Sequence, residues 1–264
     1  PATGAGVIQE GRAYNYVGSS SWIALATDKP IYDPTMRTFT WAHLIPNMFS
    51  PCGTMQAAGA SYAWARNELA PLEVQLAKEQ NISSYELMNQ TAEGSPVGAK
   101  GLLYLPYLLG ERSPRWNPKA RGAFIGLDIR HTRADMIRSV LEGITLNLKI
   151  ILDALTIQGT TIDAMRVIGG GAKGKLWNQI MADVYGVPVQ RLTILEEATS
   201  LGAAVAGGVG VGLYKDFSIV ERMNPIASTV EPNPTTGETY NKLLKVFDAA
   251  YHALEPVYEE LTEL

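Results

Sequence analysis

The chain has 264 residues, of which 46% are hydrophobic and 18% charged, and its net charge is −4 at pH 7. This composition is sufficient for a buried core, and it excludes a disordered chain and a basic surface for nucleic acids. One cysteine and three widely separated histidines exclude an internal disulfide and a zinc site of the usual spacing. No apolar run approaches the ~20 residues of a membrane span, and no secretion signal is visible. We therefore expect a cytoplasmic protein.

The first part of the chain predicts a β-hairpin, an irregular stretch and three helices. Two apolar runs, 13–17 and 22–26, flank the small-residue turn Gly18-Ser19-Ser20-Ser21, a pattern typical of a hairpin. Residues 27–52 contain several prolines, which favours an irregular path. Helices are predicted over 53–70, 71–80 and 83–93.

The second part predicts strands that alternate with helices. Strands are expected at 101–107, 164–168 and 187–192, and helices at 132–157, 176–185, 198–211 and 240–261. Thr132 and Asp135 have the spacing of a capping box at the start of the longest helix. Residues 216–238 are expected to form a loop. Alternation of this kind predicts an α/β fold with parallel strands, to which the opening hairpin adds antiparallel ones. No linker divides residues 1–264 into two domains.

A glycine-rich turn, residues 169–174, lies between a predicted strand and a predicted helix. Main-chain N–H groups and the helix dipole favour phosphate binding at such a position. Gly169, Gly171 and Gly174 also satisfy the dinucleotide pattern GxGxxG, with Glu196 following at a suitable distance, so an NAD-binding oxidoreductase is one alternative. A tight turn without a ligand is another. A magnesium-binding P-loop is disfavoured, because Leu176 occupies the position of its Ser or Thr.

Residues 104–142 resemble the second signature of the FGGY family of carbohydrate kinases, and the phrase LPYLLGERSP is most similar to its xylulokinase and gluconokinase branches. The signature positions are filled by Gly122, Phe124, Gly126, Leu127, Asp135, Met136, Ser139 and Glu142. The stretch GGGAKGKLWNQIMADVYGVPV resembles the adenosine-binding turn and helix of this family. YVGSSSW resembles its phosphate-contacting hairpin, with Ser19 in place of the usual Thr and Ser21 in place of a glycine.

The resemblance implies an actin-like ATPase fold with a ribonuclease-H-like core and helices on both faces of the sheet. It implies that residues 1–264 are the second, C-terminal domain of such a kinase, without the sugar-binding first domain. The family's catalytic base is an Asp just before a Gly-x-Gly, which here is Gly4-Ala5-Gly6. The expected base therefore lies upstream of Pro1, and we assign no catalytic residue and no metal ligand within the chain.

The resemblance also implies a nucleotide site. Gly18, Ser19 and Ser20 are expected to contact phosphate, although a plain hairpin turn is the simpler interpretation. Main chain at Gly170, Gly171 and Ala172 is expected to pass close to adenosine and the α-phosphate. The residues expected to flank the nucleotide or contact its nucleoside are Gly59, Tyr62, Lys175 and Asn178. For Lys175, the alternative interpretation is an ordinary surface lysine that is solvated and contacts no ligand.

These residues predict the ATP-binding half of a sugar kinase that uses Mg²⁺ and phosphorylates a pentulose such as xylulose. Gluconate or another polyol is an alternative substrate, and a non-catalytic binding module is an alternative role. We expect the isolated chain to bind ATP weakly and to lack kinase activity, because domain closure assembles such sites. The expected partners are ATP, a small sugar and the first domain; a homodimer is left open.

Overall fold

A computed structural model describes residues 1–263. Its main feature is a seven-stranded sheet in the order β3-β4-β2-β1-β7-β8-β9, beside a two-stranded sheet of β5 and β6. The strands are β1 (Ala13–Val17), β2 (Ser21–Leu25), β3 (Phe39–Ala42), β4 (Phe49–Met55), β5 (Leu103–Leu105), β6 (Ala123–Ile125), β7 (Met165–Ile168), β8 (Val189–Leu192) and β9 (Ile226–Val230). β7 pairs in parallel with β1 and with β8, and the other pairs are antiparallel.

Eight α-helices connect and cover these strands in the described part of the chain. They are α1 (Gly59–Glu68), α2 (Pro71–Gln80), α3 (Ser84–Glu93), α4 (Arg133–Thr156), α5 (Lys175–Tyr185), α6 (Ala198–Gly210), α7 (Ile219–Met223) and α8 (Gly237–Leu261). The predicted capping box begins α4: Asp135 accepts hydrogen bonds from the main-chain N–H and the hydroxyl of Thr132, at 2.7 and 2.8 Å. None of the described helices is long and apolar enough to cross a membrane.

The sheet carries helices on both faces. Residues 165 and 167 of β7 belong to the core that also includes much of α4 and α5. Arg166, between them, points the other way because side chains alternate along a strand, and it lies 3.5 Å from Glu221 of α7. A smaller cluster on that side joins Ile8, Val205 and Val220. The predicted α/β, actin-like architecture with an opening hairpin is confirmed.

Two predicted loops contain strands. Residues 27–52 hold β3 and most of β4, and β4 continues to Met55, so the helix predicted over 53–70 begins only at Gly59. Pro51 lies within β4 and pairs with Thr40 of the edge strand β3. The sequence analysis missed these strands because proline in a segment argues against a strand. Residues 216–238 contain α7 and β9, which pairs with β8 although its residues are mostly exposed. An exposed edge strand carries little hydrophobic periodicity, so the sequence pattern missed it.

Candidate functional site

The turn between β1 and β2 is fixed by its own polar groups. The main-chain N–H of Gly18 donates to the carbonyl of Ser20 at 2.9 Å. The Ser21 hydroxyl donates to the carbonyl of Tyr16 at 2.6 Å and accepts a hydrogen bond from the Asn15 side chain at 2.8 Å. Ser21 therefore closes the hairpin through its side chain, so a glycine is not required there. Ser19, at the tip, is exposed.

The glycine turn packs directly against the end of β1. β1 and β7 are parallel neighbours, so their carboxyl ends, which carry the hairpin tip and the glycine turn, lie at the same edge of the sheet. Gly169 has a positive φ of 89°, and a Cβ there would lie 2.6 Å from the carbonyl oxygen of Val17. A Cβ on Gly171 would lie 2.3 Å from Cγ1 of Val17. Glycine at these positions therefore allows the close approach of the two segments.

Helix α1 begins on the hairpin tip. The main-chain N–H groups of Gly59 and Ala60 donate to the carbonyls of Gly18 and Ser19, each at 2.9 Å. A Cβ on Gly59 would lie 2.3 Å from the Gly18 oxygen. The hairpin thus occupies the amino end of α1, and three segments distant in sequence converge: the hairpin tip, the start of α1 and the glycine turn.

The remaining candidate residues differ in solvent exposure. Tyr62 is buried; its hydroxyl donates to Asn89 at 2.7 Å, and its ring meets Trp177 edge-on with centroids 5.8 Å apart. Burial raises its pKa, so the phenol stays protonated. Tyr62 is therefore a packing residue between α1, α3 and α5. Lys175 is exposed as the first residue of α5.

Asn178 and Ala172 act together at the glycine turn. The Asn178 side-chain N–H donates to the buried carbonyl of Ala172 at 2.9 Å, which ties the turn to α5. The other side-chain atom of Asn178, Oδ1, is buried without a hydrogen-bond partner. Gly170, in contrast, is exposed, and a Cβ there would meet only Oε1 of Glu196, at 3.6 Å. Packing therefore does not explain a glycine at position 170, whereas it does at 171.

This arrangement is suited to a phosphorylated ligand. The amino end of α5 carries partial positive charge, and the exposed, Cβ-free main chain at Gly170 lets a ligand approach closely. Within residues 1–263 no group of three or more His, Cys, Asp or Glu side chains could hold a metal ion.

The first residues of the chain are held by hydrogen bonds that the sequence analysis did not foresee. Four consecutive carbonyl oxygens each accept a hydrogen bond from a different side chain, at 2.9–3.0 Å. The pairs are Asn224 to Gly4, Arg166 to Ala5, Arg12 to Gly6 and His43 to Val7. Burial lowers the pKa of His43, so its neutral ring donates through Nε2. No local pattern predicts such long-range contacts.

The signature residues Asp135 and Glu142 are structural. Besides Thr132, Asp135 accepts hydrogen bonds from Ser95 at 2.7 Å and Lys100 at 2.8 Å. Glu142 is buried; it accepts from Arg138 at 2.7 Å, the main-chain N–H of Gly98 at 2.9 Å and the Tyr240 hydroxyl at 2.8 Å. The signature thus fixes α4 to the loop before β5 and to α8.

Glu111 of the GERSP loop is a buried anchor between that loop and the segment leading to α1. Its carboxyl oxygens accept hydrogen bonds from the main-chain N–H of Gln56 at 2.8 Å, that of Arg112 at 2.9 Å and the Asn147 side chain at 3.0 Å. Burial raises its pKa to about 8 despite these donors. These contacts give Glu111 a structural role, because they hold the loop against the segment before α1 and against α4.

The known proteins that this chain is similar to are carbohydrate kinases. The C-terminal domain of the FGGY family of carbohydrate kinases matches residues 13–211. A xylulose kinase of Staphylococcus epidermidis is 34% identical over 263 residues, and a gluconokinase of Bacillus licheniformis is 33% identical over 259. Each alignment covers 98% of this chain and 50% of the relative. The structure of a ligand-bound xylulose kinase from Lactobacillus acidophilus superimposes with a TM-score of 0.87 at 27% identity, covering 98% of this chain and 51% of that one.

The chain therefore spans about half the length of the relatives it matches. Both the sequence match and the fold agree with the resemblance carried by the signature and the glycine turn. None of the relatives named above is an NAD-dependent oxidoreductase. The family match covers well over half of the residues, and on that basis the chain belongs to the FGGY family of carbohydrate kinases.

Proposed function

We propose that the chain is the nucleotide-binding half of an ATP-dependent sugar kinase that transfers the γ-phosphate of Mg²⁺-bound ATP to a hydroxyl of a pentulose such as xylulose. The observation that carries the proposal is the convergence of the hairpin tip, the glycine turn and the start of α1 at one edge of the sheet. Gluconate is the second candidate substrate, because a gluconokinase is nearly as similar as the xylulose kinases.

The chain's own groups would bind and orient rather than react covalently. Ser19 and Ser20 offer main-chain N–H groups and hydroxyls to phosphate, while Gly18 shapes the turn through its own N–H bond to the Ser20 carbonyl, and the amino end of α5 offsets negative charge. Gly170, Gly171 and Ala172 present main chain to adenosine and the α-phosphate, flanked by Gly59, while Tyr62 holds α1 in place from the core by packing against Trp177. Lys175 and the free Oδ1 of Asn178 are candidates for polar contacts with the nucleoside. Phosphoryl transfer depends mainly on such positioning and charge stabilisation.

The catalytic base, the sugar-binding half and full closure of the site are proposed to come from the rest of a longer kinase. Two hollows of about 790 and 400 Å³ lie away from the glycine turn, one near Arg12 and Gln158 and one between α1 and α2. We expect no ADP release from ATP and xylulose with the isolated chain, and an ATP Kd on the order of 1 mM.

Gly170→Ala tests the nucleotide site without disturbing the fold. Because the added methyl group meets only Glu196 at 3.6 Å, we expect unchanged thermal unfolding but an ATP Kd raised by roughly tenfold, about 1.4 kcal/mol. The matched control is Gly207→Ala in α6, where a Cβ meets nothing within 4 Å. Titration calorimetry with ATP, and with NADH as the competing ligand, provides the measurement. Equal affinities in Gly170→Ala and the wild type, or tighter binding of NADH than of ATP, would contradict the proposal.

A further inference from the structure

A cavity of about 790 Å³ lies at the edge of the sheet opposite the candidate nucleotide site. Its walls include Ala13 at the start of β1, Ala164 just before β7 and Gln190 near the start of β8. The hairpin tip and the glycine turn follow the other ends of β1 and β7, so the length of β1, roughly 13 Å, separates the two places. A cavity of this volume can enclose a small metabolite.

Two arginines in the wall of this cavity share a single carboxylate. Glu221 of α7 contacts Nη1 of Arg12 and lies 3.5 Å from Nη2 of Arg166. Burial and the neighbouring charge of Arg12 lower the pKa of Arg166, which indicates that its positive charge is only partly offset. Glu10 and Asp163, the two carboxylates of the lining, are exposed, so water screens them. The inner wall of the cavity therefore carries an excess of positive charge.

Both arginines are held in place and still have N–H groups to donate. Arg12 donates to the carbonyl of Gly6 at 3.0 Å, and Arg166 donates to that of Ala5 at 2.9 Å, in each case through Nη1. Within residues 1–263, Nε and Nη2 of Arg12 and Nε of Arg166 make no hydrogen bond, and none of these three nitrogens is closed off from solvent. The guanidinium groups are thus positioned in advance for a ligand with several oxygen acceptors.

Much of the remaining lining is polar and uncharged. Gln190 is the register partner of Arg166 in the parallel pair of β8 and β7, so their side chains share one face of the sheet. Gln9, Gln158 and Thr161 add further amide and hydroxyl groups. Amides both donate and accept hydrogen bonds, so they match the hydroxyl groups of a sugar. The arginines match a phosphate instead, because its oxygens can accept from two guanidinium groups at once.

We propose that this cavity is a second ligand site, in which Arg12 and Arg166 bind the phosphate of a sugar phosphate and Gln190 binds one of its hydroxyl groups. The site goes beyond the proposed function, because it lies at the opposite edge of the sheet from the glycine turn and takes part in no step of phosphoryl transfer. The same arginines hold the carbonyls of residues 5 and 6. A ligand that binds only the folded chain stabilises it, so an occupied site should raise the temperature of thermal unfolding.

Titration calorimetry of the 264-residue chain with D-ribose 5-phosphate tests the site, with inorganic phosphate and D-ribose as comparison ligands. Arg12→Gln removes one charged fork and should weaken binding of ribose 5-phosphate about tenfold. Glu221→Gln removes the carboxylate that competes for both arginines, so it should strengthen binding. Gln190→Ala should weaken binding of ribose 5-phosphate about threefold and leave that of inorganic phosphate unchanged.

The matched controls are Arg130→Gln and Asp128→Asn, which break an ion pair of 2.6 Å before the start of α4. α4 has 24 residues and leads from this pair to the cavity, so the two places lie roughly 36 Å apart. Both controls should bind ribose 5-phosphate as the wild type does. Gly170→Ala should do so too, because the phosphate is not bound at the glycine turn.

Weaker binding in Arg12→Gln together with tighter binding in Glu221→Gln supports the proposal, provided that both variants unfold at the wild-type temperature. If either does not fold, Gln190→Ala and Arg12→Lys decide in its place; the lysine keeps the charge but loses the planar fork, so it should weaken binding by less. No binding by the wild type, equal affinity in all folded variants, or a loss in Gly170→Ala overturns the site. Equal affinity for D-ribose or for inorganic phosphate overturns the assignment to a sugar phosphate. The ATP affinity of the same samples tests the proposed function separately.

Discussion

Two ion pairs of the same length lie in two different environments. Arg138 and Glu142 are 2.7 Å apart with side chains 7% and 4% exposed, inside the signature region around α4. Lys173 and Glu196 are also 2.7 Å apart, but their side chains are 60% and 54% exposed beside the glycine turn. The signature region is held by buried charges that all have partners. The candidate nucleotide region depends instead on small residues and main-chain contacts, and its charges stay in water.

The residues that identify the family are therefore different from the residues that form the candidate ligand surface. Asp135 and Glu142, which carry much of the signature, make their contacts inside the protein, with loop, helix and hydroxyl partners. The candidate ligand surface is formed by glycines, which have no side chain, and above all by Gly170. A recognisable motif thus reports how the domain is built, and the adjacent glycines report where a ligand can approach.

The largest effect is expected when the buried pair is broken. Glu142→Ala leaves the Arg138 guanidinium buried without its carboxylate and should lower the free energy of unfolding by about 3–5 kcal/mol. Urea denaturation followed by circular dichroism measures this loss. The ATP affinity of the folded fraction should stay at the wild-type value, because Glu142 contacts Gly98 and Tyr240 and not the glycine turn. A stability loss below 1 kcal/mol would show that the pair is less important than its burial indicates.

Glu111, at the border between the two regions, should make the free energy of unfolding depend on pH. Burial raises its pKa to about 8, above the unfolded value near 4.5, so the folded state holds a proton that the unfolded state has lost between these values. Its contribution to stability is complete below pH 4.5 and is lost as the pH rises towards 8, by at most about 1.4 kcal/mol per unit. Urea denaturation at several pH values should show this slope.

Glu111→Gln is the matching variant, because it keeps the size of the side chain and an oxygen that can accept the Gln56 N–H. Its stability should change less than that of the wild type between pH 5 and 8. An identical slope in both proteins would mean that another group titrates over this range.

Local sequence patterns predicted the parts of the fold that depend on neighbours in the chain. The capping box at Thr132, the long helix α4 and the strand–turn–helix around Gly170 are set by nearby residues. β9 was missed because its partner, β8, is distant and its residues are exposed. The hydrogen bonds that hold carbonyls 4–7 join residues up to 220 positions apart, so no short pattern could reveal them.

For the candidate site, the sequence predicted the segments better than the roles of their side chains. The hairpin and the glycine turn converge as the resemblance implied, because both follow neighbouring parallel strands. Tyr62 was expected beside the nucleotide, yet its side chain is buried against Asn89 and Trp177.

The smallest effect is expected for the exposed pair. Lys173→Met removes an ion pair that water and salt already screen, so the free energy of unfolding should change by no more than about 1 kcal/mol. The change should shrink further in 1 M NaCl, where charges more than ~3 Å apart are screened. Glu196→Gln removes the same pair from the other side and serves as the control. If both variants lost several kcal/mol, the charges beside the glycine turn would be structural like those of α4, and the contrast between the two regions would fail.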